Sequence, residues 1–177
     1  LENLYRSINI ALVNEMKLIC DKLKIDVHKV IETAATKNFG FQKFTPGPGL
    51  GGHCIPIDPY YLSWIAKKKG YVAQMLKSAS KINDNMPKLI INKILKYFKS
   101  KPKILIFGIS YKKNVDDDRE SPSFEFMRIL MKKNIYFDFV DPYFGKIRKG
   151  RKISIEKKSI KLNIRNSKNY DCAIIVT

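Results

Sequence analysis

Acidic residues are scarce in this chain. Its 177 residues include 34 lysines and arginines but 16 aspartates and glutamates, which gives a formal net charge of +18. Strongly basic proteins often bind nucleic acids or anionic surfaces. Here, however, the positive residues are mostly lysines spread over several predicted helices and loops, and no known nucleic-acid-binding module is recognisable. The densest cluster, from Lys146 to Lys161, reads as a solvated loop, so we expect no nucleic-acid partner.

Cysteine and histidine are also rare. Cys20, Cys54 and Cys172 have no paired spacing, which fits a reducing cytoplasm better than a disulfide-stabilised scaffold. The two histidines, His28 and His53, are too few for a zinc site of the usual ligand spacing. We therefore predict neither a disulfide nor a metal site.

Long apolar runs are missing as well. No stretch approaches the roughly 20 apolar residues of a membrane-spanning helix, so we expect no membrane partner. Apolar residues nevertheless make up 45% of the chain, enough for packed cores. Leu1 lies within a predicted helix, and we expect the natural start to lie upstream.

The segment from residue 46 to 59 is where small residues concentrate. Its glycines, Gly47, Gly49, Gly51 and Gly52, permit tight turns and the close approach of a ligand. Asp58 and Pro59 are typical of a helix N-cap and first helical residue. The partly positive end of that helix would lie near Cys54 and favour its thiolate, the nucleophilic form. The alternative is a Gly/Pro surface loop with an incidental buried cysteine.

The first part of the chain, residues 1–98, is predicted to be an α-helical domain. Apolar residues recur at helical spacing between Asn3 and Leu23, so one face of a long helix is expected to be buried. The stripe consists of Leu4, Ile8, Leu12, Met16, Ile19 and Leu23. Further helices are expected from an Asp26 N-cap to Thr36, from Tyr60 to Lys69 with Gly70 as the C-cap, from Val72 to Ile82, and from Pro87 to Phe98.

The second part, residues 99–177, is predicted to be a partial α/β domain with a parallel, Rossmann-like sheet. A strand over 103–108, a helix capped by Ser121 that runs to Met131, and a strand over 135–140 form a strand–helix–strand unit. Residues 172–177 are predicted to form a third buried strand. Gly108 alone is not the three-glycine turn that holds a dinucleotide, so no NAD site is expected in this half.

Four segments in a fixed order carry a family resemblance: residues 2–15, 49–62 (Gly-Leu-Gly-Gly-His-Cys-Ile-Pro-Ile-Asp-Pro-Tyr-Tyr-Leu), 82–87 and 108–122. Together they resemble the UDP-glucose/GDP-mannose dehydrogenase family, and most of all its branch acting on UDP-N-acetylhexosamines such as UDP-N-acetylglucosamine. The first segment resembles the start of the family's long central helix, and the second resembles its active-site segment. The third resembles the connection that leaves the central domain, and the fourth the entry to the UDP-binding domain.

The resemblance implies roles for individual residues. Cys54 would be the catalytic nucleophile, Asp58 a residue that positions water and manages protons, and Asn3 an amide that binds the oxyanion or the water. Without the resemblance, Asp58 would be a helix cap and Asn3 an ordinary helix-start residue. The implied substrate-binding residues are Phe41, Gly47, Gly49, Leu50, Gly51, Gly52, Tyr111 and Lys112.

Arg119 is implied to contact the cofactor, with a salt bridge inside the acidic run 116–120 as the alternative. For Lys112 the alternative is a solvated basic turn. The catalytic lysine of the family would precede Leu1, and NAD would be bound mainly by a domain N-terminal to this chain.

The resemblance also implies an activity. The family oxidises the C6 alcohol of a nucleotide sugar to a carboxylate with two NAD, through a cysteine thiohemiacetal and thioester. We therefore expect a fragment of a UDP-N-acetylhexosamine 6-dehydrogenase, inactive on its own and dimeric through the helix from Asn3 to Leu23. The alternatives are a non-catalytic remnant that retains dimerisation or UDP-sugar binding and, more remotely, a basic nucleic-acid-binding protein.

Overall fold

The computed structural model describes residues 1–147 and 155–177. The chain divides into two compact units: residues 1–50 with 54–86, and residues 51–53 with 87–177. The division after Met86 falls inside a helix. Part of the basic cluster from Lys146 to Lys161, including Arg148 and Arg151, lies outside the described residues.

The first unit is helical, as predicted. It contains α1 (Glu2–Leu23), α2 (Val27–Ala34), α3 (Asp58–Lys68) and the N-terminal part of α4 (Gln74–Leu95). Asp26 caps α2 by accepting a hydrogen bond from the His28 amide at 2.9 Å, which confirms the predicted N-cap. Gly70, with φ of +84°, follows the end of α3 and supplies the left-handed turn expected there.

The buried face of α1 is not the predicted apolar stripe. The buried residues are Ser7, Ala11, Val13, Asn14 and Cys20. Leu12, Ile19 and Leu23 remain 54%, 45% and 62% exposed. The other three residues of the predicted stripe, Leu4, Ile8 and Met16, are half-buried. The expectation was therefore wrong for Leu12, Ile19 and Leu23, because side-chain hydrogen bonds allow polar residues to occupy the inner face.

Two helices that the sequence predicted separately form a single helix in the structure. Helix α4 runs through Pro87 without a break, where the sequence suggested an end near Ile82 and a new start. Proline removes one backbone donor and usually interrupts a helix. Here residues before and after Pro87, such as Met86 and Ile91, are buried, and this packing stabilises the helix on both sides of the proline.

The second unit is built on a three-stranded parallel sheet in the order β2-β1-β5. The strands are β1 (Ile104–Phe107), β2 (Phe137–Val140) and β5 (Cys172–Ile175), and α5 (Pro122–Lys132) connects β1 to β2. Ser121 accepts a hydrogen bond from the Ser123 amide, so the predicted cap of α5 is confirmed. Two short antiparallel strands, β3 (Lys146–Ile147) and β4 (Lys157–Lys158), and the helix α6 (Ile164–Ser167) precede β5.

One face of this sheet carries the core. Ile104, Ile106, Phe137 and Phe139 pack with Ile91 and with the apolar face of α5. β5 lies at the sheet edge, with Ile174 buried but Ile175 exposed, so the third strand is less buried than predicted. Because β5 and β2 flank β1 on opposite sides, the loop after β1 lies where ligands bind in open parallel sheets.

No helix within residues 1–147 and 155–177 combines the length and the apolar character needed to cross a lipid bilayer.

Candidate active site

Two predicted catalytic residues meet in the helical unit. The Asn3 amide donates a hydrogen bond from Nδ2 to Asp58 Oδ2 at 2.7 Å, although 55 positions separate the two residues. Asn3 belongs to the first turn of α1 and Asp58 to the first turn of α3. The pairing fixes the carboxylate beside an amide in a partly buried position.

Asp58 is not the N-cap that the sequence predicted. The cap of α3 is Ile57, and Asp58 is the first helical residue. Its carboxylate bonds to Asn3 instead of turning back to the helix amides. As an acidic residue in the first turn, Asp58 still interacts favourably with the helix dipole.

Cys54 precedes α3 by four residues and is exposed, so it is not the buried cysteine that the alternative of a Gly/Pro surface loop assumed. Its carbonyl oxygen accepts hydrogen bonds from the amides of Ile57 and Asp58 at 3.1 and 2.9 Å. This turn ties the backbone of Cys54 to the start of the helix that carries Asp58.

A buried amide network holds the loop that precedes the cysteine segment. Asn14 accepts a hydrogen bond from the Gly47 amide at 2.8 Å and donates to Asn83 at 3.0 Å. Asn83 donates in turn to the Ser7 carbonyl at 3.1 Å. Of the predicted sugar-binding residues in this loop, Gly47, Gly49 and Leu50 are half-buried and Phe41 is exposed.

The other predicted substrate residues lie in the second unit. Gly51 and Gly52 pack against Tyr111, which follows β1, and the Gly52 amide donates to the Arg119 carbonyl at 2.9 Å. Lys112 is exposed, which fits both the implied contact with the substrate and the alternative of a solvated basic turn. The structure thus brings together Gly51, Gly52, Tyr111 and the backbone of Arg119.

Arg119 forms a salt bridge inside the acidic run 116–120, which was the alternative to a cofactor contact. Its Nε lies 2.9 and 3.0 Å from the two oxygens of Asp117, and Nη2 lies 2.6 Å from Oδ2. Hydrogen bonding from Arg119 holds the pKa of Asp117 below its usual value, with a smaller contribution from the charge of His53. The neighbouring Asp118 has a raised pKa because it is desolvated and faces other carboxylates.

Sequence reasoning missed three polar residues that shape these loops. Asn14 and Asn83 are almost completely buried, and Asp141 at the end of β2 accepts hydrogen bonds from the Ile109 and Tyr143 amides at 2.7 and 2.8 Å. Asp141 directly follows an apolar strand, a position where a carboxylate often fixes a loop. For Asn14, the signal was its spacing of seven residues from Ser7, which places both on one helix face.

Comparison with known proteins gives the family. Residues 1–85 match the central domain of the UDP-glucose/GDP-mannose dehydrogenase family, and residues 105–177 match its UDP-binding domain. The chain belongs to this family. The two matched regions agree in order and position with the resemblance carried by the four sequence segments.

Similar proteins include a UDP-N-acetyl-D-mannosamine dehydrogenase of Methanococcus vannielii, 39% identical over 100% of this chain and 39% of the relative. A UDP-N-acetyl-D-mannosamine dehydrogenase of Campylobacter jejuni is 37% identical over 75% of this chain and 32% of its own length. Among solved structures, a UDP-D-ManNAc dehydrogenase from Pyrococcus horikoshii has a TM-score of 0.81 and 30% identity, over 99% of this chain and 40% of that structure. The chain thus spans about two fifths of the length of such relatives.

Proposed function

We propose that this chain is part of a nucleotide-sugar dehydrogenase that oxidises the C6 alcohol of a UDP-N-acetylhexosamine to the carboxylate. The observation that carries the proposal is the Asn3–Asp58 hydrogen bond, because it joins two of the three proposed catalytic residues in the unit that matches the family's central domain. The names of the relatives favour UDP-N-acetylmannosamine among the possible epimers.

In the proposed reaction, Cys54 acts on the aldehyde that forms after the first oxidation. The thiolate adds to the C6 carbonyl carbon, a C–S bond forms, and the oxygen takes up a proton to give a thiohemiacetal. In the second oxidation, C6 would lose a hydride to NAD and its hydroxyl would lose a proton, which would leave a thioester. Water then adds to the thioester carbonyl, the C–S bond breaks, and the carboxylate leaves while the thiolate is restored.

Asp58 and Asn3 would manage this hydrolysis. The carboxylate of Asp58 can accept a proton from the attacking water, and the Asn3 amide can orient that carboxylate or stabilise the negative charge that develops on oxygen. Because Asn3 already bonds to Asp58, the carboxylate is held in one orientation before substrate binds.

NAD is the oxidant expected for this family, but the described residues do not fit its pyrophosphate. Strand β1 is followed by Gly108 alone, whereas dinucleotides are usually held by a three-glycine turn that leads into a helix. Arg119, the one proposed cofactor contact in this chain, is engaged with Asp117. We therefore propose that the described residues serve the sugar and the UDP group.

The loop after β1 is the proposed site of the UDP group. Residues 105–177 match the UDP-binding domain, and Tyr111 and Lys112 lie in the loop at the carboxyl end of the central strand. An aromatic ring and an ammonium group there suit a uracil base and a pyrophosphate.

A second copy of this chain is the proposed partner. Leu12 and Ile19 are seven residues apart and Leu23 lies four further on, so their exposed side chains share one face of α1. Apolar residues at this spacing are typical of a helix that packs along another helix.

The function is tested by assaying the natural protein with UDP-N-acetylmannosamine and NAD. We expect two NADH per sugar and loss of net oxidation in Cys54→Ala. Undiminished turnover by Cys54→Ala would contradict the proposal. If the natural protein binds the UDP-sugar without oxidising it, the non-catalytic remnant is the better description.

A further inference from the structure

Tyr111 packs directly on two glycines that have no room for a side chain. A Cβ added to Gly51 would lie 2.7 Å from the Tyr111 Cβ and 3.3 Å from Pro122 Cδ. A Cβ added to Gly52 would lie 3.1 to 3.4 Å from three atoms of the Tyr111 ring, and its φ of +90° disfavours other residues. The absence of side chains at both positions therefore permits this close contact.

Backbone hydrogen bonds also hold this segment and the loop that carries Tyr111. The Gly52 amide donates to the Arg119 carbonyl at 2.9 Å, and the Tyr111 amide donates to the Asp117 carbonyl, also at 2.9 Å. The Asp117 carboxylate binds the Arg119 guanidinium. The loop after β1 is thus braced internally, and residues 51–53 are part of the same compact unit as that loop.

We propose that Tyr111 is a positioning residue for Cys54: by packing on the side-chain-free backbone of Gly51 and Gly52, it fixes the peptide that leads through His53 to the thiol. One residue separates Gly52 from Cys54, so a backbone shift at Gly52 changes the position of the cysteine. The importance of this for catalysis rests on the proposed function of Cys54, but the contact itself does not.

The Gly51-Gly52 pair thus has a second role besides ligand access, which is to permit the contact that fixes the cysteine segment. Sugar binding alone would require space on the ligand side of the backbone. The contacts at Gly51 and Gly52 show that protein atoms already occupy the space a side chain would need. Substituting either residue therefore disturbs the cysteine segment even when no ligand is present.

Alkylation kinetics of the 177-residue chain test the positioning of Cys54 by Tyr111, and the assay does not depend on dehydrogenase activity. Iodoacetamide modification of each cysteine is followed by mass spectrometry in the parent, Gly51→Ala, Tyr111→Gly and the double variant. Gly145→Ala is the matched control, because a Cβ there meets nothing within 4 Å. Cys20 and Cys172 report on folding, since loss of structure would speed their modification too.

Because Cys54 is already exposed, release of the segment acts on the position of the thiol rather than on its access to reagent. We therefore expect Gly51→Ala and Tyr111→Gly each to change the Cys54 rate in the same direction by about fivefold or more, through overpacking or loss of the contact. The double variant should have the same Cys54 rate as either single variant, because both substitutions disrupt the same contact. Gly145→Ala should match the parent.

Three results would overturn the proposal: a Cys54 rate that is unchanged in both single variants, multiplication of the two effects in the double variant, or an equal change of the Cys54 rate in Gly145→Ala. If Gly51→Ala exposes Cys20 and Cys172, Tyr111→Gly alone decides, because it shortens a half-buried side chain. If Tyr111→Gly also exposes them, the ring supports the fold as a whole, and a specific role in positioning Cys54 is excluded.

A failed dehydrogenase assay with a positive alkylation result would refute the proposed function but not this contact.

Discussion

The three thiols of this chain have different surroundings, and the proposed chemistry requires one of them to react. Cys54 is exposed, whereas Cys20 is 3% exposed in the core of the helical unit. Burial raises the pKa of the Cys172 thiol, and the negative charge of Asp171 raises it further, so less thiolate is present there at neutral pH.

We therefore predict that iodoacetamide at pH 7 modifies Cys54 first, then Cys172, and Cys20 last. Peptide mapping by mass spectrometry at increasing times measures the order. Urea should abolish the differences, because they arise from the fold. Faster modification of Cys172 than of Cys54 in the folded chain would contradict the assignment.

The Asn3–Asp58 pair makes a second prediction for single residues. Removing the amide in Asn3→Ala frees the Asp58 carboxylate and should lower kcat of the natural protein by on the order of 10²-fold, as loss of one preorganised donor does elsewhere. Asn9→Ala is the matched control, since Asn9 also lies on α1 but bonds to the Tyr5 carbonyl at the surface. Equal kcat values for the two variants would remove Asn3 from the mechanism.

Tyr60 offers a prediction on pH. Burial and hydrogen bonding to the Asp84 carboxylate raise the pKa of Tyr60 from 10.0 to about 12. A raised pKa means that the neutral phenol is favoured by the fold, so this stabilisation is complete below pH 10 and is lost as the pH rises towards 12. Tyrosine ¹³Cζ shifts in NMR should show Tyr60 titrating near 12 and moving towards 10 in Asp84→Asn. A Tyr60 midpoint near 10 in the parent would show that the pair is not formed.

At the scale of elements, α1 carries both an inner polar face and an outer apolar stripe. The predicted stripe was based on the spacing of apolar residues alone. In the structure, part of the inner face is polar, because Asn14, Asn83 and the Ser7 carbonyl form hydrogen bonds with one another there. Leu12, Ile19 and Leu23 are therefore available for another helix.

We predict that the chain forms dimers through this stripe and that Leu12→Glu with Ile19→Glu makes it monomeric at micromolar concentration. Sedimentation equilibrium gives the mass. Ile164→Glu, which replaces an 82% exposed apolar residue elsewhere, is the control and should leave the dimer intact. A monomeric parent chain would contradict the prediction.

Caps and strands were predictable from sequence because their causes are local. Asp26 and Ser121 needed only a side-chain oxygen near the first amides of a helix, and the strand–helix–strand order followed from apolar periodicity. Asp58 failed as a cap because its partner, Asn3, is distant in the sequence. Pro87 failed as a helix break because buried residues on both sides stabilise the helix.

At the scale of the whole molecule, the candidate site was only partly predictable. Residue types and spacing indicated Cys54, and the family resemblance implied Asp58 and Tyr111. The pairing of Asp58 with Asn3, the amide network around Asn14 and the contact between Tyr111 and the glycines all depend on tertiary structure. The family match extends over both units, at residues 1–85 and 105–177, while the chain spans about two fifths of its relatives.

The central claim is that Cys54 carries the sugar as a covalent intermediate. The most direct measurement is acid quenching of the natural protein during turnover of UDP-N-acetylmannosamine with NAD, followed by mass spectrometry of the peptide that contains Cys54. We predict an acyl adduct of the UDP-uronate on Cys54 that disappears when substrate is exhausted and that hydroxylamine removes. Steady NADH formation with Cys54 unmodified at every quench time, together with full activity in Cys54→Ala, would contradict it.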